Sequence, residues 1–232
     1  LSRPYDDSSN CGVLYYEHTE ELISEVVYAI ENGLRVAMHA IGDRAIDVAI
    51  ACYEEAAKHF DINKMRNRIE HASMSRPDQI ESFKRLGLTI SSSASFLFTS
   101  GESYYYALGK RALDMFPDRS YVNNGIIAAN NADSPCSDNN PMFGVYAQVA
   151  RKTSGGRAYS LQERLTPWEA LKSYTINAAY LNFDEKILGS IKEGKLADLV
   201  ILSDNPEKID VEQIKDIKVE MTMVNGIILY ER

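Results

Sequence analysis

The chain has 232 residues, 45% hydrophobic and 25% charged, which is the balance of a soluble globular protein and excludes a disordered or fibrous one. Its formal net charge of −8, with no basic run, excludes an electrostatic footprint for nucleic acid. Three cysteines (Cys11, Cys52, Cys136) lie far apart with no CxxC pair, no apolar run is long enough to span a bilayer and no secretory leader is visible; together these predict a cytoplasmic protein with no membrane partner.

The chain opens on Leu1 rather than Met, and the expectation is a piece of a longer protein. Residues 1–18 read as loop, rich in turn formers around Pro4, Asp6–Asn10 and Gly12. Thr19 can cap a helix with Glu20 and Glu21 in its first turn and Leu22, Ile23, Val26, Val27 and Ile30 on one face; Asn32-Gly33 stops it. Leu34 to Ala40 reads as a strand. The following helix carries Ile46, Ala49, Ile50, Tyr53, Ala57 and Phe60 on one face. Arg68 to Ala72 is a short strand, Pro77 suits the first turn of a helix ending at Gly87, and Leu88 to Ser92 is a third strand. Tyr104 to Phe116 reads as a helix, Ile126 to Ala129 as a fourth strand, and Met142 to Lys152 as a helix. Thr166-Pro167-Trp168-Glu169 has capping-box spacing and starts a helix running to about Asn182. The character changes after residue 184. A strand over Ala197–Leu202 and a hairpin, Val219–Val224 and Ile227–Tyr230 about Asn225-Gly226, make residues 185–232 a short β segment behind an alternating α/β region of residues 1–184.

Candidate chemistry falls into place on this map. His39 ends the first strand, His71 ends the second, and Asp133 follows the fourth, so all three belong to one end of a parallel sheet. Two neutral imidazoles and a carboxylate suit Zn²⁺ or a similar divalent ion, and the carboxylate could alternatively take a proton from water. A lone strand-end histidine is ordinarily structural; two in matching places with an aspartate in register raise the metal reading. His18 and His59 read as surface residues, and Asp43 as the cap of the helix after His39. Glu70, by strand alternation, points away from His71 and pairs with a helix cation such as an arginine. Tyr104 to Tyr106 serve helix packing, or with Phe96 and Phe98 line an apolar pocket wall; Cys136 has no histidine near it in sequence to activate it.

His39-Ala40-Ile41-Gly42-Asp43-Arg44-Ala45, Ile69-Glu70-His71-Ala72, Ala132-Asp133-Ser134-Pro135 and Gly194-Lys195-Leu196-Ala197-Asp198-Leu199-Val200-Ile201-Leu202 resemble, in order and spacing, the amidohydrolase superfamily, nearest the branch of the N-substituted formamide deformylases. The resemblance implies the C-terminal half of a TIM-like (β/α)₈ barrel, strands five to eight, plus a segment of the family's β-sandwich. It implies His39 and His71 as the fifth- and sixth-strand metal ligands. Asp133 becomes the eighth-strand aspartate, which both binds metal and shuttles protons as the catalytic residue. The activity implied is metal-dependent hydrolysis of an amide-type C–N bond in a small-molecule substrate.

The family opens its site with a His-x-His pair, and no two of the four histidines here stand two residues apart. The expectation is therefore a fragment, inactive or nearly so alone, with weak or absent zinc, that self-associates through exposed half-barrel edges. A non-catalytic binding or regulatory module that keeps the fold is the alternative, and an unrelated α/β enzyme built on Cys136 a third reading.

Overall fold

A computed structural model describes residues 1–16 and 18–232; Glu17, inside the stretch read as loop, lies outside the described residues. The chain forms two compact units, one of Leu1–Ser92 with Ser100–Ala128 and one of Ser93–Thr99 with Ala129–Arg232. In chain order the first unit runs through α1 (Thr19–Glu31), β1 (Ala37–Ala40), α2 (Asp43–Ala57), β2 (Arg68–His71), α3 (Pro77–Arg85) and β3 (Thr89–Ser92). The α4 helix (Ser95–Leu108) spans the boundary between units, and α5 (Asp118–Asn123) and β4 (Ala128–Asn130) follow. The strand order is β1–β2–β3–β4, with β1, β2 and β3 running parallel. The protein is thus α/β with a parallel sheet.

Local chemistry accounts for these elements. Apolar residues of α1 and α2 bury Val26, Ile30, Ile46, Ala49, Ile50 and Tyr53 against Ala40, Ile69 and Ile90 of the strands. The buried face of α2 takes Ala56 where the sequence pattern put Ala57, which stays exposed. Regular pairing begins at Ala37 rather than Leu34, because the amide of Val36 is bonded instead to the side chain of Asn67 at 2.8 Å. Past the last residue of α3, Gly87 turns the chain with φ +63°; a side chain there would meet the Asn63 carbonyl oxygen at 2.7 Å, so close approach and backbone conformation both require glycine.

Two helices differ from expectation. The α4 helix starts at Ser95, and Gly109 in the left-handed region ends it, leaving Gly109–Asp114 as a 3₁₀ turn. The six-residue α5 had no periodic signal long enough to read.

The second unit holds α6 (Pro141–Ala150), α7 (Pro167–Tyr174), α8 (Ile176–Leu181), β5 (Leu199–Leu202), β6 (Val219–Val224) and β7 (Ile227–Glu231). Asn140 caps α6 through the Met142 amide, and Thr166 with Glu169 forms the expected capping box at α7. The single helix expected over 166–182 is two, broken at Thr175. There the backbone leaves helical geometry, and the threonine hydroxyl bonds back to the Leu171 carbonyl at 2.9 Å. Met142, Val145, Tyr146 and Val149 of α6 pack on Ile214 and Ile217. The antiparallel sheet β5–β6–β7 carries the hairpin at Asn225-Gly226, and every residue of β7 is exposed. No helix among the described residues is long and apolar enough to cross a membrane.

Candidate active site at the strand ends

His39 and His71 stand at the carboxyl ends of neighbouring parallel strands, where such sheets assemble their chemistry. The register sets His39 opposite Glu70 and Ala40 opposite His71. Residues opposite one another share a face, and side chains alternate along a strand. Regular geometry would therefore send His71 to the face of Ile69 and Ala40, which are packed in the core, and away from His39.

The backbone breaks that alternation. His71 has φ +71° and Ala72 follows at +48°, two successive residues in a region that costs a non-glycine residue about 1–3 kcal/mol. With this turn the buried His71 imidazole meets that of the exposed His39 edge-on, ring centroids 4.6 Å apart and planes at 74°. Hydrogen bonds over-determine the turn. The Ala72 amide donates to the carbonyls of Ala40 and Glu70, both at 3.0 Å. The Ala72 carbonyl accepts from the hydroxyls of Tyr121 at 2.8 Å and Ser75 at 2.7 Å. Beyond it, Met74 donates to Ile41 O at 3.1 Å and Phe116 to Ser73 O at 2.8 Å.

The other candidates are placed as follows. Glu70 pairs with an arginine, but with Arg68 on its own strand rather than one on a helix, and its register position puts it on the face of His39. Asp43 is the first residue of α2, with Gly42 as the cap. Its carboxylate accepts the Ser2 amide at 2.8 Å, the Ser2 hydroxyl, and the Arg44 amide at 2.9 Å, with Arg76 at 3.8 Å. Burial raises its pKa, but those bonds and the Arg76 charge outweigh it and hold the carboxyl below the usual aspartate range. His18 is the residue before α1, and the exposed His59 stands 3.6 Å from Glu55. Tyr104 lies against Phe116, with ring centroids 6.3 Å apart, and Tyr106 is exposed. Cys136 is an exposed free thiol, while burial pushes the Cys52 thiol up to about 11.

Asp133 belongs to the second unit, in the loop after β4. It too is left-handed, with φ +48°, and its carbonyl accepts the Cys136 amide at 2.8 Å. Asn130 and Asn131 fix the start of this loop. The Asn130 carboxamide oxygen accepts the Ala94 amide at 2.9 Å, and that of Asn131 accepts the Ser93 hydroxyl at 2.8 Å.

The structure thus brings His39 and His71 together. Among the described residues no three His, Cys, Asp or Glu side chains gather into a group able to hold a metal. The imidazole pair offers two nitrogen donors, half of a tetrahedral set, so these residues fit a divalent ion as a partial ligand set. Tyr121 and Ser75, which hold the turn at His71, escaped the sequence reading. Neither carries a local motif, and only the fold sets them on the Ala72 carbonyl.

The family described as the amidohydrolase family matches residues 1–230. YtcJ of Bacillus subtilis (strain 168) is 33% identical over 100% of this chain and 44% of its own length. The N-substituted formamide deformylase of Arthrobacter pascens is 29% identical over 97% of this chain and 41% of its own. The chain therefore spans less than half the length of these curated relatives. A solved structure of an uncharacterized metal-dependent hydrolase from Pyrococcus furiosus superposes with a TM-score of 0.74 at 30% identity, over 90% of this chain and 42% of that one. A Xaa-Pro dipeptidase structure, 21% identical with a TM-score of 0.64, shares the fold.

Proposed function

The chain belongs to the amidohydrolase family, and on that premise we propose that it carries half the active site of a metal-dependent hydrolase that cleaves an amide-type C–N bond in a small molecule. The observation that carries this reading is the edge-on meeting of His39 and His71 at adjacent strand ends, made against the alternation of β2. In the proposal β1 to β4 stand as strands five to eight of a barrel, and the β5–β7 sheet is part of a β-sandwich. His39 and His71 would hold a divalent cation, zinc being the first candidate, with Asp133 as the proposed third ligand. A bound cation would supply Lewis-acid polarisation and a lowered pKa for water. Asp133 takes the proton of the attacking water on its carboxylate and returns it to the leaving nitrogen as the C–N bond breaks, so that acid and amine leave neutral in sum. The relatives named as a formamide deformylase and as a metal-dependent hydrolase support the bond type and the cation.

The test uses the full-length parent, assayed with Zn²⁺ or Mn²⁺ against N-acyl and formamide substrates. His39→Ala and His71→Ala are each expected to abolish metal-dependent turnover. Unchanged turnover after either removes that residue from the mechanism, whereas no metal-dependent turnover in the unsubstituted parent leaves the fold serving a binding role. The chain alone is expected to be inactive and to self-associate, since β1 is a sheet edge and β7 exposes Ile227, Ile228, Leu229 and Tyr230. Light scattering at working concentration checks this, and a monodisperse monomer overturns it.

A further inference from the structure

We propose that Tyr121 is a positioning residue for His71: its buried hydroxyl, bonded to the Ala72 carbonyl, holds the left-handed turn that aims the His71 ring at His39. The proposal rests on the reading of the two histidines as one site. Tyr121 is fully buried in α5, beside Phe83 at 6.3 Å between ring centroids. Its hydroxyl lies 2.8 Å from Ala72 O and 2.9 Å from the Ser75 hydroxyl, which itself bonds Ala72 O at 2.7 Å. Without such anchors, His71 and Ala72 would relax toward the extended backbone their residue types prefer. Extension would restore the alternation of β2 and turn His71 to the face of Ile69, away from His39. Tyr121 therefore acts on the ring through the backbone, from a helix that has no other stated part in the chemistry.

A second tyrosine provides the control. Tyr53 is equally buried, and its hydroxyl, which shares its proton between two carbonyls, Val36 O at 3.1 Å and Arg68 O at 2.8 Å, lies at the opposite ends of the same two strands. Loss of either hydroxyl costs similar packing and hydrogen bonding. Only the loss at Tyr121 should move the histidines.

The experiment compares the 232-residue chain with Tyr121→Phe, Tyr53→Phe and the double variant Tyr121→Phe/Ser75→Ala, each labelled at histidine for NMR. The first readout, without metal, is the cross-relaxation between the His39 and His71 ring protons. The second is Zn²⁺ titration followed on the same resonances. Tyr121→Phe removes one oxygen and leaves Ala72 O bonded to Ser75, so the chain keeps its fold. It is expected to weaken the ring contact and to lower Zn²⁺ affinity by about tenfold or more, the range for groups that orient metal ligands. The double variant should lose more, and Tyr53→Phe should leave both readouts as they are in the unsubstituted chain. A ring contact unchanged in Tyr121→Phe, or lost equally in Tyr53→Phe, overturns the proposal. If the contact falls only in Tyr121→Phe while no chain takes up Zn²⁺, the positioning role stands on the ring contact, and the metal reading is decided by the assay of the full-length parent.

Discussion

The β6 strand leads into Asn225–Gly226, with φ of +49° and +78°, and β2 runs out through His71–Ala72, with φ of +71° and +48°. The first pair adopts left-handed backbone at little cost, because glycine has no side chain to clash and asparagine tolerates the region. The space around Gly226 is open, and its amide donates to Ala197 O at 3.1 Å. The second pair has no such aptitude. It sits in buried surroundings and is held by hydrogen bonds from β1, α5 and Ser75. One turn is chosen by its own residues; the other is imposed by tertiary structure. The imposed one stands where the candidate chemistry is, as expected when strain aims a side chain that regular geometry would misdirect.

If rigidity behind β2 is what sustains the imposed turn, the core there must be energetically dominant. Phe83→Ala, in the fully buried layer that also holds Tyr121, is expected to cost about 3–5 kcal/mol. Leu229→Ala, 66% exposed on β7, should cost no more than about 0.5 kcal/mol at concentrations where the chain is monomeric. Urea unfolding measures both. Comparable losses would mean that the two sheets are equally well supported and that the contrast between their turns is accidental.

A smaller effect separates the turns themselves. Gly226→Ala adds a methyl group that meets nothing within 4 Å, so its whole cost is conformational, about 1–2 kcal/mol. Ala72→Gly relieves left-handed strain of the same size, but loses a buried methyl worth about 0.8 kcal/mol and adds unfolded-state entropy of about 0.4–1 kcal/mol. The expected net change at Ala72 is near zero. Unfolding midpoints of the two variants check the pair, and a loss at Ala72 as large as at Gly226 would show that no strain is stored beside His71.

The same contrast explains what could be read in the sequence. The Asn225-Gly226 hairpin, the Thr166–Glu169 capping box and the alternation through β1, α2 and β2 were legible because each is written in adjacent residues or in one periodicity. The break at Thr175 and the short α5 were not, since they depend on contacts made across the fold. For the candidate site, spacing was enough to put His39 and His71 at neighbouring strand ends. It could not show that their rings meet, because that depends on the positive φ of His71, and His71-Ala72 carries no turn signature. The arginine partner of Glu70 also differed from the helix cation expected: it is Arg68, two residues back on the same strand.

The weakest expected effect concerns the turn after His39. There Asp43 holds Ser2 by amide and hydroxyl, and Arg111 reaches the carbonyls of Arg3 and Pro4, tying down the segment that precedes α1. Because the Asp43 carboxyl is held below its ordinary value in the folded chain, the unfolded chain binds its proton first as pH falls. The stabilisation is therefore complete above about pH 4, the ordinary aspartate value, and drains away as pH drops through the lower folded value. Arg76 is partly exposed and shared with Asp47 and Asp78, which keeps the effect small. Hydrogen exchange at the Ser2 amide, corrected for its intrinsic rate, should lose protection in that acid window in the unsubstituted chain, whereas Asp43→Asn should show lower protection at neutral pH and a flatter acid limb. If the two acid limbs run parallel, Asp43 does not fasten the segment, and the bonds of Arg111 to the carbonyls of Arg3 and Pro4 hold it instead.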